Sequence, residues 1–142
     1  MTPKIIYMTN IDRRYFMMRR ALDELIADGE MPASSQVVKT EDGSVWSASW
    51  EEKLRGSALV MIRFMGNTIR TKFWTACMHF LSREGIPYYM DAAGSAEEEC
   101  IERVAAKDIE AMKAYSFYGG LTNYKNLWLY ARSLFDQGMP DA

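Results

Sequence analysis

Arg63 is the one charge in a run that is otherwise nearly all apolar, Ser57-Ala58-Leu59-Val60-Met61-Ile62-Arg63-Phe64-Met65, which closes at Gly66-Asn67. A guanidinium in such a strand needs an anionic partner, because an unpaired buried charge is costly. Two kinds of partner suit it. An internal carboxylate such as Asp91 would make a structural ion pair. A ligand carboxylate would instead be held by Arg63 together with backbone N–H groups at a helix start after Gly66-Asn67. Spacing alone favours the internal pair, since structural ion pairs also occupy such positions. In open α/β sheets ligands bind in the crevice outside the carboxyl ends of the strands. Asn10, Arg13, Arg63, Gly66, Asn67 and Asp91 all fall at or near expected strand ends.

The other chemistry-bearing residues are less specific. The chain has no GxxxxGK[ST] phosphate loop, GxGxxG turn, GxSxG elbow or HExxH pair, which argues against nucleotide hydrolysis by this chain alone. His79 is the sole histidine and has no Cys or second His at ligand spacing, so a structural place on its helix is expected. Cys77 and Cys100 form neither a CxxC pair nor a ligand cluster and read as reduced thiols. Glu97-Glu98-Glu99 suits the first turn of a helix, where carboxylates meet the positive end of the dipole. The 11 methionines read as core filling rather than as a ligand pocket. Trp46 and Trp50 lie in a stretch of unclear periodicity and hint at an interface, whereas Trp74 and Trp128 fall on or beside helical apolar stripes.

The elements that must position these residues follow from periodicity. Lys4 to Thr9 reads as a buried strand, ending at Asn10, a residue type suited to capping a helix. Ile11, Tyr15, Met18, Leu22 and Leu25 then recur at helical steps, with Arg13, Arg14, Arg19, Asp23 and Glu24 largely on other faces, until Asp28-Gly29. Gln36 to Thr40 reads as a weaker strand, and Ser44 to Gly56 fits neither period. Ser57 to Met65 has the continuous apolar character of a central parallel strand. Thr68 to Glu84 is a helix with Ile69, Phe73, Ala76 and Phe80 on one stripe, and Ile86 to Met90 is extended. Further helices are expected from Ser95, from Asp108 and from Thr122, the last with Tyr124, Leu127, Ala131 and Leu134 inward. Strands separated by helices of this length favour a parallel sheet with helices on both faces. The expectation is one three-layer α/β domain over residues 1–142, with about four parallel strands in the flavodoxin-like order 2-1-3-4 and additional C-terminal helices.

With 142 residues there is room for one ordinary domain, and 49% hydrophobic with 25% charged residues excludes disordered and disulfide-scaffold classes. A formal charge of −2 gives no whole-molecule attraction to nucleic acid or anionic lipid. No segment reads as a signal peptide or a membrane span, so a cytoplasmic location without membrane or nucleic-acid partners is expected.

Two segments resemble the N-terminal region of the large subunit of cobaltochelatase, a family shared with the large subunit of magnesium chelatase. One is Leu59 to Gly66, with Trp74 downstream and Gly85-Ile86-Pro87 beyond. The more specific is Tyr115-Ser116-Phe117-Tyr118-Gly119-Gly120-Leu121-Thr122-Asn123-Tyr124-Lys125-Asn126-Leu127, similar to the family's Tyr-x-x-x-Gly-Gly-x-x-Asn-x-x-Asn-Leu signature. In that signature the matching positions are Tyr115, Gly119, Gly120, Asn123 and Asn126. The likeness runs from about Leu59 to Phe135. It implies the N-terminal part of a much longer subunit that inserts Co²⁺ or Mg²⁺, as substrate, into a tetrapyrrole during cobalamin-type biosynthesis. The family's ATP is used by partner subunits, and no cofactor or catalytic residue is implied for this segment. Arg63, Gly66, Asn67, Asn10 and Asp91 are then candidates for holding the tetrapyrrole. The rest of the large subunit and the ATPase subunits would be the partners. A different reading of the same residues is a stand-alone, non-catalytic interaction module that docks a protein through Trp46 and Trp50.

Overall fold

The computed structural model describes residues 4–41, 44–63, 72–90 and 120–136. Strand β1 (Ile5–Thr9) leads into α1 (Asp12–Ala27), followed by β2 (Gln36–Lys39), α2 (Ala48–Leu54), β3 (Leu59–Arg63), α3 (Lys72–Arg83), β4 (Tyr88–Met90) and a last helix, α4 (Leu121–Asp136). All strand pairs are parallel, and the sheet order is β2-β1-β3-β4. The fold is therefore α/β with a parallel sheet.

The central strands are apolar up to their last residues, Thr9 and Arg63, because both of their faces are covered. Every residue of β1 is buried, as are Leu59 to Ile62 in β3. The register sets Tyr7 beside Met61 and Thr9 beside Arg63, so these four point to one face. On that face the Tyr7 ring lies 6.4 Å from the ring of Trp128 in α4. Helices α1 and α4 therefore share this side. Right-handed crossovers from β2 to β3 and from β3 to β4 carry α2 and α3 over the opposite side, where Ile6, Met8, Val60 and Ile62 are fully buried. Met8, Met18, Met31 and Met61 all lie in the core, as expected of methionine used to fill irregular space.

Helix α1 buries Met18, Ala21, Leu22 and Leu25 and ends at Gly29, whose φ of 75° is a left-handed value that a side chain would strain. Gly29 N–H donates to the Ile26 carbonyl at 3.0 Å and Glu30 N–H to the Leu25 carbonyl at 2.8 Å, a Schellman closure. Helix α3 ends in the same way at Gly85.

Three expectations need correction or completion. Asn10 does not cap α1. Ile11 holds the N-cap position without a side-chain cap bond, and the buried Thr9 hydroxyl accepts from Ile11 N–H at 3.1 Å, so the last residue of the strand satisfies the turn. Arg14 does not lie on an outer face but is 9% exposed. The ambiguous middle stretch contains α2, a helix of seven residues, too short for its periodicity to emerge. The helices expected from Ser95 and Asp108 lie outside the described residues.

Candidate functional site

The carboxyl ends of the strands gather the residues with binding chemistry. Arg63 ends β3 and is half-buried, next to the fully buried Thr9 at the end of β1. Asn10 follows Thr9 and is also half-buried. Because β1 and β3 are neighbours whose connections leave in opposite directions, their carboxyl ends form the switch point at which such sheets open a crevice.

Helix α4 brings the distant end of the chain to the same place. The Arg14 guanidinium lies over the Tyr124 ring, 5.7 Å from its centroid, and the Trp128 indole N–H donates to the Met18 carbonyl at 3.0 Å. Farther along, the Arg132 guanidinium donates to the Glu30 carbonyl. Arg14 with Tyr124 and, one turn on in each helix, Met18 with Trp128 show that the two helices run in the same sense. Since α1 starts at the carboxyl edge of the sheet, α4 starts there too. The first turns of both helices therefore lie at the carboxyl edge, with the positive ends of their dipoles toward it.

Of the described signature residues, Gly120 and Asn123 lie at the start of α4 and Asn126 in its second turn. Gly120 is exposed just before the helix, and Asn123 N–H donates to the Gly120 carbonyl at 3.1 Å. Asn126 is exposed. Gly66, Asn67, Asp91, Tyr115 and Gly119 lie outside the described residues, as does any Arg63–Asp91 ion pair. The structure therefore brings Arg63, Asn10, Gly120 and Asn123 to one edge from three separate parts of the chain.

Sequence reading missed Arg14 and the role of Tyr124 beside it. The signal was present: Arg14, Met18, Ala21 and Leu25 advance by four, three and four, so Arg14 continues the buried stripe by one turn. Arg14 and Arg63 supply two guanidinium groups at this edge, each able to engage a carboxylate or phosphate through paired N–H donors.

Nearby charges are already occupied. Lys39, at the end of β2, binds Asp12 in the first turn of α1 and Glu41, the latter at 3.1 Å. The Asp12 carboxylate, then Glu41, raises the Lys39 pKa above its ordinary value. Lys125 of α4 pairs with Glu24 at 2.7 Å and holds that carboxyl below its ordinary value. These pairs clamp β2 and α4 to α1.

The remaining candidates sit elsewhere. Trp46 and Trp50 stack 6.4 Å apart with planes 15° from parallel, and both pack edge-on against Phe73 of α3. Their ends remain half-exposed. His79 is on the exposed side of α3. Cys77 is fully buried in the same helix, and burial pushes its thiol pKa far up, which leaves it protonated and inert. Among the described residues no three His, Cys, Asp or Glu side chains form a group able to hold a metal ion. None of the described helices is long and apolar enough to cross a membrane.

No protein family, curated protein or solved structure matches the chain.

Proposed function

We propose that this chain is a three-layer α/β domain of a cobaltochelatase-type large subunit and that its carboxyl-edge crevice receives the carboxylates of a tetrapyrrole. The observation that supports this reading is that Arg63 ends β3 beside Thr9, at the edge where α1 starts, and that Tyr124 sets the start of α4, with Gly120 and Asn123, against Arg14 in the first turn of α1. An anionic side arm entering there would meet guanidinium donors on one side and helix N-termini on the other. Gly66 and Asn67 would add backbone donors after β3, and Asp91 would orient Arg63. Under this reading Co²⁺ or Mg²⁺ is a substrate, ATP is consumed by partner subunits, and the rest of the large subunit carries out insertion. The chain's own part is to hold and orient the macrocycle or to shape the subunit around it.

A titration of the chain with metal-free porphyrin and corrin carboxylates, followed by absorbance and tryptophan fluorescence, tests the proposal. Saturable binding is expected. Loss of a charge-assisted contact costs about 1.5 to 3 kcal/mol, so Arg63→Ala should weaken binding roughly tenfold or more. Equal affinity in a folded Arg63→Ala variant would remove Arg63 from the site, and no binding by the folded parent would leave the domain an architectural role.

A further inference from the structure

Among the described residues, strand β2 is an edge of the sheet and pairs only with β1. Its sequence, Gln36-Val37-Val38-Lys39, contains no proline, and its one charge is bound to Asp12 and Glu41. Its shortness, four residues, is the one usual device left to keep it from pairing with another strand. Beside this edge α1 and β2 enclose a groove of about 380 Å³, whose walls include Tyr15, Arg19, Leu22, Asp23, Ile26 and Val37.

We propose that this edge and groove receive a second copy of the chain, β2 pairing antiparallel with its twin so that the sheet continues across a two-fold axis. Several features make the surface complementary to itself. Neighbouring strands are about 4.8 Å apart and α1 spans the β1–β2 pair, so the axis sets the two α1 helices side by side at roughly 10 Å, an ordinary packing distance. Of the groove-lining positions on α1, Tyr15 and Ile26 are half-buried and Arg19 and Asp23 are exposed, whereas Leu22 already belongs to the core. Tyr15 and Ile26, like Arg19 and Asp23, lie nearly evenly about the same point of α1, as an antiparallel pair of identical helices requires. Tyr15 then meets the partner's Ile26, and Arg19 meets the partner's Asp23. Asp23 is exposed and has no ion partner among the described residues, so the contact supplies an opposite charge on each side of the axis. On the strands, antiparallel pairing centred between Val37 and Val38 sets Gln36 opposite the partner's Lys39, with no like charges facing. An extended segment of an unrelated protein would fill the same edge, but the paired opposite charges and symmetric spacing favour the chain's own copy.

Sedimentation velocity over a concentration series of the full chain tests this arrangement. The mass should rise from 16.3 kDa to twice that value with concentration. Asp23→Arg places arginines against each other across the axis and should raise the dimer dissociation constant about tenfold or more. The swap Arg19→Asp with Asp23→Arg restores opposite charges and should recover association. All variants change exposed α1 positions, and circular dichroism confirms that each is folded. A parent chain that stays monomeric into the hundreds of micromolar would overturn the proposal. So would a dimer that Asp23→Arg leaves as tight as the parent, or a double swap that recovers nothing.

Discussion

The two faces of the sheet use tryptophan in opposite ways. On the α1/α4 side Trp128 is fully buried, lies against Tyr7 and donates its indole N–H to the Met18 carbonyl. On the α2/α3 side Trp46 and Trp50 stack on each other, lean on Phe73 and keep half-exposed ends, with the Trp46 indole donating to Glu51 at 2.9 Å. Cations border this second cluster: Lys53 lies 5.1 Å from the Trp50 ring centroid, and Arg55 and Arg83 each lie 5.6 Å from that of Phe80. One indole locks two helices to a strand and aligns the carboxyl-edge corner. The other two roof a short helix and a loop. A tryptophan that stands outside a clear helical stripe is therefore not evidence of a docking surface, because a half-exposed aromatic roof gives the same sequence pattern.

Truncation measures the difference directly. Trp128→Ala removes the largest fully buried side chain together with a buried hydrogen bond and should destabilise the fold by about 3 to 5 kcal/mol in chemical denaturation. Because Trp128 also fixes α4 along α1, the tetrapyrrole binding proposed above should weaken in this variant even under conditions where it stays folded. Trp50→Ala empties a half-exposed site and should cost roughly 1 to 2 kcal/mol, the lower part of the range for large-to-small changes. It should leave the carboxyl-edge crevice unaltered. Equal losses for the two variants would abolish the distinction between a closed seam and an open roof.

The same contrast explains what was legible in the sequence. The strands and long helices were readable because their burial follows a simple rule: continuous apolar residues where both sheet faces are covered, and a regular stripe where one helix face is. Asp28-Gly29 marked the end of α1 because the turn there requires a positive φ. Helix α2 was not readable, since seven residues complete barely two turns and its anchors, Trp46 and Phe73, come from outside it. For the candidate site, Arg63 stood out as a charge in an apolar strand. Arg14 did not, although it continues the buried stripe of α1 by one turn, because a cation at the end of such a stripe is expected in solvent until α4, more than a hundred residues later, lays Tyr124 against it. Which residues share the corner is a property of the α1–α4 pairing and not of either segment.

The pH dependence of that pairing gives the smallest expected effect. Lys125 lowers the folded-state pKa of Glu24, so this pair contributes stability at pH values above the ordinary carboxylate range and loses it as the pH falls through the depressed folded value. Lys39 is the opposite case. Asp12 and Glu41 raise its pKa, so its contribution is complete below the ordinary lysine value and is lost as the pH rises past it. Thermal melts from acid to alkaline pH should therefore show Lys125→Met flattening mainly the decline at the low end, and Asp12→Asn flattening the decline at the alkaline end. The two effects separate because one pair ties α4 to α1 and the other ties β2 to α1. If Lys125→Met altered both limbs alike, the two clamps would act as one network, and α4 could not be loosened from the corner without disturbing the edge strand.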